Sequence, residues 1–242
     1  MAGYVRAKEL GCEVVVKMDG DGQMDPDQME RLLIPLVRNE ADYTKGNRFN
    51  DFRALREMPW IRLLGNGFLS FMLKVASGYW DIMDPTNGYT AIHRRALDKL
   101  NLGKISKRFF FESDMLINLG IARAVVADVS MPARYGREQS TLNVWKILLQ
   151  FPPRLFAGFL KRILLRYFIY DFNMASVYML FGLPLLVFGL LYGFDKWIES
   201  SRAMTPAPLG SIMLAALPII VSMEMLLQAI NIDINSVPRR KR

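Results

Sequence analysis

Asp19 and Asp21 are one residue apart, follow the run Val14, Val15 and Val16 almost at once, and have Gln23 two residues beyond them. Two carboxylates at that spacing can share a hard divalent cation through oxygen ligands, and an amide carbonyl can add to them. The β-branched run favours a strand buried on both faces, which Asp19, Gly20, Asp21 and Gly22 cannot continue. The acids therefore stand at the carboxyl end of a strand, where open α/β sheets bind ligands. Two other readings compete. Asp19, Asp21, Gln23, Asp25, Asp27 and Glu30 fit the ligand positions of a calcium-binding loop, yet Met24 stands where that loop needs glycine and a valine strand replaces its entering helix. A turn that caps the next helix, with Asp25 as N-cap and Pro26 at the first helical position, explains Asp25 but not the pair Asp19 and Asp21.

The elements around the acids follow from patterning. Residues 3–10 read as a short helix closed by Gly11, so the chain opens on an αβ unit with no strand before it. A doubly wound sheet wants at least one βα unit upstream, which gives the expectation that the chain starts within a domain. A helix over 26–38 leads to a strand over 42–46, whose exit presents Arg48 near the same sheet edge as a phosphate contact. A helix over 59–76 carries Arg62 and Asn66 on one face, with room for a phosphate between them. Residues 84–89 are a turn cluster. Glu112 and Asp114 begin an otherwise apolar helix, where acids suit the helix dipole. A strand over 124–132 runs into the polar stretch 134–140, which holds Arg134 and Ser140 and has room to close over a ligand.

Composition changes along the 242 residues. A hydrophobic content of 52% is high for a wholly soluble protein. Of the net charge of +8, most belongs to residues 143–242, which hold 11 basic and 5 acidic side chains. Basic charge that travels with apolar sequence points to anionic lipid and away from nucleic acid. The lone Cys12 excludes an intrachain disulfide and a cysteine zinc cluster. His93, also alone, excludes multi-histidine metal sites and reads as a packed structural residue. Residues 143–171 interleave aromatics with Lys146, Arg154, Lys161, Arg162 and Arg166, as expected of interfacial helices in the headgroup layer, divided at Pro152 and Pro153. Residues 172–194 are uncharged over about 34 Å of helix, enough to span the hydrocarbon. A second span is expected over 209–232, kinked at Pro218 and carrying Glu224, with an external loop at 195–208 and a basic tail at 233–242. The asymmetry of basic residues puts both flanks of this hairpin, and the α/β domain of residues 1–142, in the cytoplasm.

The order DGDGQMDP, GNRF, DPTNGYTAIHRRAL, FFFESD, ARYGREQS and two spans resembles glycosyltransferase family 2, and within it the dolichyl-phosphate mannose synthase-like enzymes. The resemblance implies an α/β fold of GT-A, Rossmann-like type that binds a nucleotide sugar, here lacking its N-terminal segment. It implies inverting transfer of a hexose from a donor of the GDP-mannose or UDP-glucose kind to a membrane polyprenyl phosphate, dolichyl or undecaprenyl. Asp19, Asp21 and Gln23 match the Asp-x-Asp position that holds Mg²⁺ or Mn²⁺ on the donor diphosphate. Arg48, Arg62 and Asn66 go to the phosphate pocket, and Arg134 and Ser140 to the loop over it. Glu112 and Asp114 count as substrate contacts, and Asp21, Arg62 and Arg134 as the residues closest to the chemistry. A processive polysaccharide synthase of the same superfamily would carry Gln-x-x-Arg-Trp near the membrane, and no stretch here supplies it. An inactive fragment that binds metal and anionic lipid is the non-enzymatic alternative.

Overall fold

The computed structural model describes residues 1–20, 22, 24–47, 60–84, 87–131 and 144–240. The chain divides into two compact units, Met1–Ile163 with Val237–Arg242, and Leu164–Ser236.

The first unit runs α1 (Ala2–Glu9), β1 (Val14–Lys17), a 3₁₀ turn (Pro26–Gln28), α2 (Met29–Val37), β2 (Tyr43–Asn47), α3 (Trp60–Ser77), β3 (Thr90–His93), α4 (Arg94–Leu97), α5 (Phe111–Ile121), β4 (Val126–Ser130) and α6 (Val144–Ile163). The strands form one mixed sheet in the order β1-β3-β2-β4, with β3 antiparallel to both neighbours and β2 parallel to β4. Gly11, at φ +74°, closes α1 and turns the chain into β1. Because side chains alternate along a strand, Val15 packs with Tyr43, Ile92, Leu73 and Met115 on one face, while Val14 and Val16 pack with Leu32, Leu36 and Ala91 on the other. The valine strand is nonetheless half-buried rather than buried on both faces, because it ends the described sheet and pairs with β3 alone.

Where it is described, the turn after β1 takes the helix-capping form. The Asp27 N–H donates to Asp25 Oδ1 at 3.2 Å and Pro26 takes the first helical position, so Asp25 is an N-cap. His93 is likewise structural, its Nδ1 accepting the Arg95 N–H at 3.2 Å as the N-cap of α4.

Three expectations for the basic region are corrected. Pro152 and Pro153 lie inside α6 and do not divide it, because Phe151 and Leu155 on either side pack into the same core. Arg162, fully buried, faces no headgroup. Its Nε donates to the Ala76 carbonyl at 3.0 Å and its Nη2 to that of Val75 at 2.9 Å, so it satisfies carbonyls at the C-terminus of α3 that the helix itself cannot. Gly78, at φ +77°, makes room for it, since a Cβ there would stand 2.6 Å from Nη1. Arg166, also buried, donates from Nη2 to the Ser236 carbonyl at 2.7 Å within the second unit. The basic tail is engaged too: in the first unit Arg240 Nη2 pairs with Asp42 Oδ1 at 3.1 Å.

The second unit holds α7 (Met174–Ala203) and α8 (Leu209–Asn235), both long and apolar enough to cross a membrane. Asn173 starts α7 in a reciprocal cap with Ser176. Both helices outrun the spans expected from hydropathy, and only residues 204–208 connect them. Small residues let them approach: Gly182 abuts Leu226, and Gly189 abuts Ile219 and the Ala215 carbonyl.

Candidate functional site

Lys17, the last residue of β1, gathers the site. Its Nζ donates to Asp19 Oδ1 at 2.6 Å, to Glu112 Oε1 at 3.0 Å and to the Gly88 carbonyl at 3.3 Å. Three segments far apart in sequence thereby converge: the end of β1, the first turn of α5 and the approach to β3. Burial alone would lower the Lys17 pKa, but the hydrogen bonds and charges of Asp19 and Glu112 outweigh it and raise it. Gly88 leaves room for the Asp19 carboxylate, because a Cβ there would lie 2.0 Å from Asp19 Oδ2 and would displace it.

A buried polar layer lies beneath. β2 is buried throughout although it reads Tyr-Thr-Lys-Gly-Asn. The Lys45 ammonium, fully buried, donates to the Asn87 carbonyl. Asn87 Nδ2 donates to the Gly46 carbonyl at 2.8 Å, the Gly46 N–H to the Tyr89 carbonyl at 2.9 Å, and the Tyr89 hydroxyl to the Asp25 carbonyl at 3.1 Å. Residues 87–89 are thus stitched to β2 and to the turn after the acids. Burial lowers the Lys45 pKa to about 8, against the charges of Asp84, Glu112 and Asp128. Burial raises that of Asp128 to about 6, although its Oδ2 accepts the Met83 N–H at 2.6 Å.

Of the residues expected to do chemistry, the structure brings Asp19 and Glu112 together. Asp114 is engaged elsewhere, accepting the Ser106 N–H at 2.6 Å and the Asn118 amide at 3.0 Å. Arg62 and Asn66 lie on α3, where only their backbone is described, and Asp21, Gln23, Arg48, Arg134 and Ser140 fall outside the described residues. Asp19 suits a hard cation, since its side chain remains 42% exposed at the strand end. Among the described residues no group of three His, Cys, Asp or Glu forms a ligand set. Lys17, Lys45, Gly88 and Asp128 were not singled out from sequence. Their signals were a lysine two residues before Asp19, and polar residues interrupting strands otherwise fit for a core.

Residues 7–100 match the family Glycosyl transferase family 2. Over 117 residues the chain is 31% identical to UDP-N-acetylglucosamine--dolichyl-phosphate N-acetylglucosaminyltransferase of Methanococcus voltae, covering 48% of this chain and 46% of that protein. It is 34% identical over 120 residues to polyprenol monophosphomannose synthase of Mycolicibacterium smegmatis, covering 48% and 43%. It is 33% identical over 116 residues to undecaprenyl-phosphate mannosyltransferase of Micrococcus luteus, covering 48% and 46%. The matched segment therefore spans a little under half the length of each relative.

Proposed function

From the match of residues 7–100 to glycosyl transferase family 2, we propose that the chain transfers a hexose, with inversion, from a nucleotide sugar to a membrane polyprenyl phosphate at the cytoplasmic face. The observation that carries the reading is the meeting of Asp19 and Glu112 around Lys17 Nζ at the end of β1, on a chain with two apolar helices after it. Relatives named for dolichyl-phosphate, polyprenol and undecaprenyl-phosphate substrates support the acceptor class. GDP-mannose and UDP-glucose are the donor types proposed.

Asp19, Asp21 and Gln23 would hold Mg²⁺ or Mn²⁺, which as a Lewis acid neutralises charge developing on the leaving diphosphate. Lys17 keeps the Asp19 carboxylate at the strand end and ties Glu112 of α5 to it, where Glu112 would border the sugar. The acceptor is a phosphate monoester already ionised near neutral pH, so positioning outweighs base catalysis. Arg62, Asn66 and Arg134 are assigned to that positioning, Arg134 and Ser140 from the segment that closes the site, and Arg48 to the donor phosphates. In this reading α7 and α8 form a transmembrane hairpin with both ends cytoplasmic. The Arg240–Asp42 pair supports it, because the tail after α8 packs on the same unit as the sheet. Headgroup contact falls to the exposed side of α6, where Arg154, Phe156, Leu160 and Lys161 lie.

In the full gene product, Asp21→Asn should remove metal-dependent donor binding and transfer together. Unchanged activity at both limiting and saturating Mn²⁺ defeats the assignment. Cysteines at Ser200 and Ser236 should differ in labelling by an impermeant external reagent, and equal labelling contradicts the hairpin.

A further inference from the structure

The two sides of α8 differ in a way that its role as a span does not require. One side packs on α7 through Ala215, Ile219 and Leu226, with Ser222, Ala229 and Asp233 buried. Glu224, Gln228, Asn231 and Asn235 are all exposed, and their spacing lines them up as one stripe. At about 100° per residue this stripe lies roughly opposite the α7-packing side. Glu224 stands about 22 Å of helix from the start of α8 and about 16 Å from its end, so it falls near the middle of the span. Polar side chains facing hydrocarbon there are costly and are normally covered by another helix.

The stripe's chemistry selects its cover. Gln228 Nε2 donates to Glu224 Oε1 at 2.9 Å, and Asn235 Nδ2 to both the carbonyl and Oδ1 of Asn231 at 2.8 Å. Each side-chain amide has two donor hydrogens and a carbonyl acceptor, so beyond these bonds Gln228 keeps an N–H and its carbonyl, Asn231 its NH₂ group and Asn235 its carbonyl. In a two-fold pair about the membrane normal the residues at the helix crossing meet their own counterparts, and amides such as that of Asn231 are complementary to themselves. Gln228 already serves the one carboxylate from within its own helix. Toward the start of α8 the same side continues as an apolar groove on Met213, Leu217 and Val221, which extends the contact without further polar demands.

We propose that the stripe Glu224, Gln228, Asn231 and Asn235 is the surface by which a second copy of this chain binds within the bilayer. The inference rests on the reading of α8 as a membrane span. With Cys12→Ser as background, Asn231→Cys in native membranes should yield a copper-phenanthroline-linked dimer. Ile230→Cys, at the same depth but about 100° round the helix, should yield at least about tenfold less. The triple variant Glu224→Leu, Gln228→Leu and Asn231→Leu, which makes the helix more apolar and so keeps insertion favourable, should weaken self-association in phosphatidylcholine vesicles on the order of 30-fold. Carbonate extraction separates the two readings. A chain released by carbonate overturns both the span and this inference. A carbonate-resistant chain that crosslinks equally at the two positions, stays monomeric, or links to a different protein overturns the inference and leaves the span standing.

Discussion

The ammonium group of Lys17 stands 3.0 Å from Glu112 Oε1, although 95 residues separate the two in the chain. The same nitrogen holds Asp19, so one cation keeps two carboxylates side by side at the strand end. Lys17→Met should leave those carboxylates repelling each other and lower stability by about 1–3 kcal/mol, less than for a fully buried pair because solvent screens the exposed Asp19. Lys17→Arg should restore most of it. Urea unfolding in detergent checks the series, and an unshifted midpoint for Lys17→Met would show that the pair carries no stability.

Gly88→Ala tests the closeness of the two loops. The new methyl would lie 2.0 Å from Asp19 Oδ2, so the carboxylate must move while the sheet beneath keeps its pairing. Donor diphosphate binding, read by calorimetry with Mn²⁺ present, should weaken at least about tenfold, with far-ultraviolet circular dichroism unchanged. Binding at the wild-type level would detach Asp19 from the donor site.

Asp128 gives stability a pH dependence of known sign. Burial raises its pKa from 3.8 to about 6, and among the described residues its Oδ1 has no hydrogen-bond partner. The folded chain therefore keeps a proton that the unfolded chain has released, and this contribution, full below pH 4, is lost as pH rises to about 6. The stability difference between wild type and Asp128→Asn should shift by about 2–3 kcal/mol across that window and stay flat above it. A difference that is constant from pH 4 to 6 contradicts the shifted carboxyl.

Arg162 and its neighbour Lys161 should separate sharply. Arg162→Gln leaves the Val75 and Ala76 carbonyls without their buried donor and should cost about 2–4 kcal/mol. Lys161 is exposed on Asn118, and Lys161→Gln should stay within about 0.5 kcal/mol. Thermal midpoints in detergent decide this, and equal shifts would return both residues to one surface role.

Periodicity and turn chemistry carried much of the framework. The valine run, the Asp25 cap, Gly11 and the two apolar helices depend on neighbours in sequence and were legible there. Lys45 was not, since a lysine in a strand reads as exposed until Asn87, 42 residues on, supplies its partner. Arg162 misled for the same reason: beside aromatic residues it resembles a headgroup anchor, and the helix end it caps lies 86 residues earlier. Gly88 read as a turn residue because nothing local announces the carboxylate it faces. Residues that hold a site together through long-range contact are those where local rules fail first.

The central claim is tested most directly by the lipid product. Membranes containing the full gene product, supplied with GDP-mannose or UDP-glucose and a polyprenyl phosphate, should form a polyprenyl monophosphate hexose visible by mass spectrometry. One hexose should be added per phosphate, and the product should be lost in Asp21→Asn. Formation of polysaccharide, hydrolysis of the donor without lipid product, or no transfer from either donor would contradict the account.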